Sequence, residues 1–383
     1  MNATFPVVAE LVRRGERVVY FATEPFRDRV TQAGAEYVSY GDPATFVPPA
    51  HTGGLYSVMA WSMGLAETML PGLLERLREI RPDYLLIDSM CVWGALARQV
   101  LRLPAAMLAS VFVPNPGVIT VDEMVRRAYG DAPKEVLLAG IGGLDTYLQT
   151  AQRIDRRWGT QSPNMVEFFA NRQQLNVVFT SREFHLAGDS YDASYRFTGP
   201  TLLAPDRCAE SSCGEAPLVY ISLGTIFNDR PDFYRACFSA LGEEACRVVL
   251  VTGTKVDQGA LGPAPANFTL CEHADQLALL RPASVFVTHG GMNGASEALW
   301  YGVPLLVFPQ HGDQHLVAER VAALGAGLVL RPPDPGAETL RGTVRRLLEE
   351  PAFRECAQTV GQSFRAAGGW RRASDEILAW RAS

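Results

Sequence analysis

Between Cys271 and Gln314 the chain carries, in order, Gln276, the run His289-Gly290-Gly291-Met292-Asn293-Gly294, Glu297 and the pair Asp313-Gln314. A glycine-rich turn that opens a helix is an anion site: the first helical N–H groups have no carbonyl partner, and the dipole adds positive potential. Gly290, Gly291 and Gly294 allow backbone to approach a bulky phosphate, and His289 can donate a hydrogen bond to it. Glu297 is acceptor-only when ionised, which suits two neighbouring hydroxyls such as those of a ribose. Asp313 and Gln314 offer acceptors and amide donors suited to sugar hydroxyls. Ser222, Gly224 and Thr225, near the sequence Leu-Val-Tyr-Ile-Ser, offer hydroxyls and N–H groups to a diphosphate. The glycine turn alone reads equally well as a plain strand-turn-helix capped by His289. With Gln276, Glu297 and Asp313-Gln314 at their spacings, it points to a nucleoside-diphosphate sugar.

These groups need strands to carry them. Ser284 to Thr288 is a nearly continuous apolar run, the pattern of a parallel strand buried on both faces, and Ala295 to Tyr301 reads as the helix after the turn. Leu305 to Phe308 is a further strand, with Asp313 at the head of the next helix, where ligands of open α/β sheets gather. Leu218 to Ser222, Arg247 to Thr252 and Phe268 to Cys271 complete an alternating pattern, followed by amphipathic helices at 336–350 and 351–367. The N-terminal half repeats the alternation: a helix from Asn2 to Arg14 ended by Gly15, then strands at 17–21, 36–40, 83–88, 105–112 and 176–180. A helical stretch from Asp122 to Gln173 is expected to break at Gly142-Gly143. The polar, unpatterned stretch 203–217 reads as a linker. The expected fold class is α/β, with a Rossmann-like domain at 1–202, a second at 218–367, and a last helix at 368–383.

The 383 residues suffice for two such domains. A net charge of −6 and the lack of a basic stripe exclude a typical nucleic-acid binder. No basic-then-apolar leader opens the chain and no apolar run is long enough for a bilayer, so no membrane association and a cytoplasmic setting are expected. The seven cysteines (Cys91, Cys208, Cys213, Cys237, Cys246, Cys271, Cys356) form no zinc spacing, and no metal or resident cofactor is expected.

The pattern Gln276, His289-Gly290-Gly291-Met292-Asn293, Glu297, Gly302-Val303-Pro304 and Asp313-Gln314 resembles the donor signature of family-1 glycosyltransferases, most of all the bacterial macrolide-glycosyltransferase branch. The resemblance runs over essentially the whole chain. It implies two Rossmann-like domains facing across a cleft, the GT-B fold, with acceptor on the first and donor on the second. It implies inverting, metal-independent transfer of a hexose from a UDP-sugar to a hydroxyl of a small apolar natural product, by a monomer or weak dimer. Asn293 and Glu297 favour UDP-glucose over dTDP-deoxysugars, and Asp313-Gln314 favour a fully hydroxylated hexose. The acceptor is open among macrolides, flavonoids and other polyketides. In the family 51–71 contributes to the acceptor pocket; Trp61, Met63 and Phe112 are candidates for that pocket or for the core. Two departures stand out. His273 occupies the place of an aromatic that stacks on uracil, with Ala274 still offering its backbone, and Asp275 replaces a proline, adding negative charge.

The family opens with an apolar strand and a turn bearing the histidine that deprotonates the acceptor. Here Met1 onward matches the family from just after that histidine. The expectation is that a first strand and the base lie upstream of Met1, leaving a gap in the middle of the N-terminal sheet. Asp88, at the end of a strand, would orient that histidine; alternatively it caps the helix that starts near Cys91. A nucleotide-sugar-binding protein without catalysis is the competing expectation.

Overall fold

The computed structural model describes residues 3–46, 54–115, 117, 134–203, 216–224, 228–310, 313–331 and 335–382. Thr225 and most of the 203–217 stretch, with Cys208 and Cys213, lie outside them. The chain divides into two compact units. One comprises 2–179, 187–198 and 370–383, the other 180–186 and 199–369.

In the first unit β1 (Val19–Ala22) pairs in parallel with β2 (Glu36–Ser39). A separate parallel sheet runs in the order β3 (Leu85–Asp88), β4 (Ala105–Ala109), β5 (Leu175–Val178), β6 (Tyr195–Phe197). Among the described residues no strand of one sheet pairs with a strand of the other. Their side chains nevertheless share cores: Val18 packs in one cluster with Tyr84 and Leu86, and Phe21 in another with Leu85. The chain enters at β1 and later restarts at β3, so the switch point of this unit falls where the pairing is interrupted. The helix Phe5–Arg13 starts after Thr4, with proline in its first turn, and Gly15 at φ +95° follows its end. The final helix, Gly369–Arg381, belongs to this unit from Trp370 on; Ala373 and Ile377 are buried against Val7 and Leu11.

The helix Lys134–Trp158 runs through Gly142-Gly143 without the expected break. A Cβ on Gly143 would stand 2.8 Å from the backbone nitrogen of Ser57, at the start of the helix Leu55–Ile80. The glycine admits a neighbouring backbone, and packing against that helix overrides its low helical propensity.

The second unit holds one six-stranded parallel sheet. Its order is β12 (Gly327–Val329), β11 (Leu305–Val307), β10 (Val285–Thr288), β7 (Leu218–Ser222), β8 (Arg247–Val251), β9 (Phe268–Cys271). Every residue of β7, β10 and β11 is buried, as expected for parallel strands covered on both faces. The chain builds outward from β7 through β8 and β9, then returns to β10 on the other side of β7. The C-terminal ends of β7 and β10 therefore flank the switch point, where ligands of such sheets bind. The segment 180–186 joins this unit although it follows β5 directly. Arg320 donates to the Phe184 carbonyl at 3.0 Å, and the Ser181 and Ser363 hydroxyls are 2.8 Å apart.

Candidate functional site

At the switch point of the second unit β7 delivers Ser222-Leu223-Gly224, and β10 delivers His289-Gly290-Gly291 beside it. The imidazole of His289 is closely walled. A Cβ on Gly224 would lie 2.6 Å from its Cε1, and a Cβ on Gly291 would lie 2.6 Å from its Nε2. Gly224 also has φ +77°, and Gly290, at φ +84°, sits so close to β11 that a Cβ would meet Val307 at 2.5 Å. Burial pushes the His289 pKa down to about 4, so at neutral pH the ring is an uncharged donor. Thr288 Oγ1 lies 3.5 Å from Nδ1; when that hydroxyl donates, the ring proton resides on Nε2.

The helix after the turn spans Met292–Trp300, three residues earlier than its sequence pattern indicates. Gly291 is its N-cap in extended conformation, so Met292, Asn293 and Gly294 form the first turn and present their N–H groups at its end. Gly294 is thus a helical residue, not a loop glycine. A Cβ there would lie 3.6 Å from Gln276 Nε2, an ordinary contact, so its backbone freedom is not what the turn uses. Asn293 is exposed.

Glu297 is buried on the inner face of this helix, and burial raises its carboxyl above the usual range. Its Oε2 accepts from Gln276 Nε2 at 2.5 Å, while Gln276 Oε1 accepts from the Tyr220 hydroxyl at 3.3 Å. Gln276 opens the helix Gln276–Leu280, which Asp275 caps: its Oδ1 accepts from the Ala278 N–H at 3.2 Å. The carboxylate that departs from the family proline therefore has a local structural job. His273 and Ala274 are exposed in the preceding turn.

Asp313 is exposed at the head of the helix Gln314–Ala323 and makes no side-chain cap there; surrounding protein raises its carboxyl pKa. Gln314 is buried, and its Oε1 accepts from the Gln310 N–H at 2.8 Å. The acceptor half of Gln314 thus closes its own loop. Gln310 in turn donates to the Phe308 carbonyl at 2.8 Å and accepts from Arg230. Asn228 braces the opposite wall, donating to the Gly224 carbonyl at 2.9 Å.

In the first unit Asp88 ends β3 at the interrupted switch point, and its side chain is reached by solvent. Surrounding protein desolvates the carboxyl and raises its pKa. It does not cap the following helix, Val92–Leu101, whose N-cap is Cys91 with no side-chain bond. Instead Oδ1 accepts from the Met90 N–H at 2.9 Å, a local turn. Asn171, buried at φ +39°, donates to the carbonyls of Asp88 at 3.2 Å and Ser89 at 3.1 Å. Nearby, Trp93 Nε1 donates to the Tyr40 hydroxyl at 3.1 Å, and burial lifts the Cys91 thiol to about 12. Neither Tyr40 nor Cys91 is therefore suited to be a base at neutral pH.

Of the acceptor candidates, Met63 is fully buried in the helical core with Met59 and Leu70, so it packs rather than lines a surface. Phe112 is also buried, and Trp61 is half-buried. Tyr220, Gln310, Arg230, Asn228 and Asn171 were not singled out by the sequence. Only Tyr220 had a usable signal, lying two residues before Ser222 and hence on the same face of β7.

Among the described residues no cluster of His, Cys, Asp and Glu could hold a metal, and no helix is long and apolar enough to cross a membrane. The model of the erythromycin biosynthesis protein CIII-like C-terminal domain matches residues 238–368. The NDP-glycosyltransferase YjiC of Bacillus licheniformis is 30% identical over 100% of this chain and 95% of its own length. The oleandomycin glycosyltransferase of Streptomyces antibioticus is 28% identical, over 99% of this chain and 87% of its own. The crystal structure of CalG4, the calicheamicin glycosyltransferase, superposes with a TM-score of 0.80 at 28% identity, covering 99% of this chain and 94% of that one. With its donor signature gathered at one switch point and relatives matching along its whole length, the chain belongs to the family-1, GT-B-fold glycosyltransferases of the bacterial natural-product type.

Proposed function

We propose that the chain transfers a hexose, glucose first, from a UDP-sugar to a hydroxyl of a small apolar natural product such as a macrolide or other polyketide. Inversion and the absence of a metal requirement belong to this reading. It rests above all on the juxtaposition at one switch point of a neutral His289 beside a helix N-terminus and a buried Glu297 held by Gln276. The first suits a diphosphate, the second a pair of ribose hydroxyls. The names of the relatives, an NDP-glycosyltransferase and antibiotic glycosyltransferases, agree with it.

In this reading the acceptor oxygen attacks the anomeric carbon as the bond from that carbon to the diphosphate oxygen breaks, and the hydroxyl proton passes to a base. The helix N-terminus at Gly291 and the His289 N–H stabilise the charge that develops on the leaving diphosphate. Asp313 and Gln314 contact the sugar. We further propose that Asp88 orients the base that takes the hydroxyl proton. The position of Asp88 at the C-terminal end of β3 supports this.

The test is a UDP-glucose transfer assay over a panel of hydroxylated aglycones, with chelator present, comparing the wild type with Asp88→Ala. Glycosylated product from the wild type, and little from Asp88→Ala, is the expected result. A wild type that binds UDP yet transfers nothing would leave a nucleotide-sugar-binding protein in place of an enzyme.

A further inference from the structure

The buried acidic group of the second unit does not stand alone. Tyr220 is almost fully buried, its ring stacked on Phe286 with centroids 4.8 Å apart and planes within 8°. Its hydroxyl reaches two partners: Gln276 Oε1 at 3.3 Å and the hydroxyl of Ser222, its neighbour on the same strand face. Gln276 then reaches Glu297. The donor directions in this chain are forced. An ionised Glu297 only accepts, so the amide NH2 must face it and the amide oxygen must face Tyr220. Tyr220 has one proton, which it gives to that oxygen, so Ser222 donates to the phenol. Ser222 Oγ itself accepts from the Gly224 N–H at 3.4 Å, in the turn that walls His289.

We infer that Tyr220 is a positioning residue for nucleoside selection: by fixing the Gln276 amide, its hydroxyl aims the Glu297 carboxylate at the vicinal hydroxyls of a ribose. This deepens the reading of Glu297 as the ribose contact and rests on it. A phenol with its ring wholly inside the sheet needs no hydroxyl for packing, and a phenylalanine would stack on Phe286 equally well. Glu297 already selects which end of the amide faces it; what the hydroxyl adds is a second hold, on the amide oxygen, that restrains where the Gln276 side chain sits. Without it the amide keeps its orientation but not its place, and the carboxylate loses the partner that fixes its plane.

The test measures the affinities of UDP and 2′-deoxy-UDP by calorimetry for the wild type, Tyr220→Phe and Ser222→Ala. Loss of a hydroxyl bonded to a charged group predicts a wild-type preference for UDP of about tenfold, falling to about twofold in Tyr220→Phe. Ser222→Ala should shift the ratio the same way by less. The ratio is the informative readout, since general damage to the sheet would weaken both ligands together. A wild-type preference that survives intact in Tyr220→Phe overturns the assignment of Tyr220 while leaving Glu297 as the ribose contact. A wild type that binds UDP and 2′-deoxy-UDP equally overturns both.

Discussion

The His289 ring lies so close to Gly224 that a single methyl group on that glycine would come within 2.6 Å of Cε1. The backbone there also has φ +77°, a conformation that L side chains rarely adopt. Gly224→Ala should therefore act in two ways. Strain and contact should lower stability by about 1–3 kcal/mol. The displaced ring should weaken UDP by more than tenfold, roughly the value of a hydrogen bond to a charged group. Urea unfolding and calorimetric titration of the same variant check both. Unchanged UDP affinity would remove His289 from the diphosphate site.

Glu297 sets stability against binding. Burial raises its carboxyl above the ordinary range, so the folded state holds that proton more tightly than the unfolded chain does. The group's contribution to stability accordingly falls as pH rises from the ordinary carboxylate range through its raised value. Glu297→Gln keeps the shape and can still accept from Gln276. Without ligand, its melting temperature should match the wild type near pH 4.5 and exceed it near pH 8 by about 1–3 °C. UDP should stabilise it less than it stabilises the wild type. A variant melting below the wild type at pH 8 would contradict this assignment.

Asp275 separates capping from charge. Asparagine caps a helix as well as aspartate does, so Asp275→Asn should leave the unfolding midpoint nearly unchanged, while Asp275→Ala should cost about 1 kcal/mol. Removing a negative charge near an anionic ligand should also tighten UDP several-fold in Asp275→Asn, with the gain shrinking as salt is added. Equal UDP affinity for wild type and Asp275→Asn at low salt would show that the carboxylate is too remote to matter.

The strand, turn and helix around His289 were readable in the sequence because they are local. Strand, turn and helix follow one another from Val285 to Trp300, and their residue types set that geometry. What escaped is what depends on contacts distant in sequence. Gly143 looked like a helix breaker because its reason for being there, the backbone at Ser57, lies on another helix. Met63 stayed open between pocket and core because methionines serve cores and ligand sites alike, and only packing shows which. Asn171, far along the chain from Asp88 and holding the end of its strand, has no sequence signature.

The most direct measurement titrates UDP and UMP into the wild type and His289→Ala. If the turn at His289 holds the diphosphate, the wild type should bind UDP at least tenfold more tightly than UMP, and the substitution should close most of that gap while leaving UMP affinity nearly unchanged. A wild type that binds neither nucleotide, or fails to distinguish them, would contradict the account of the donor site.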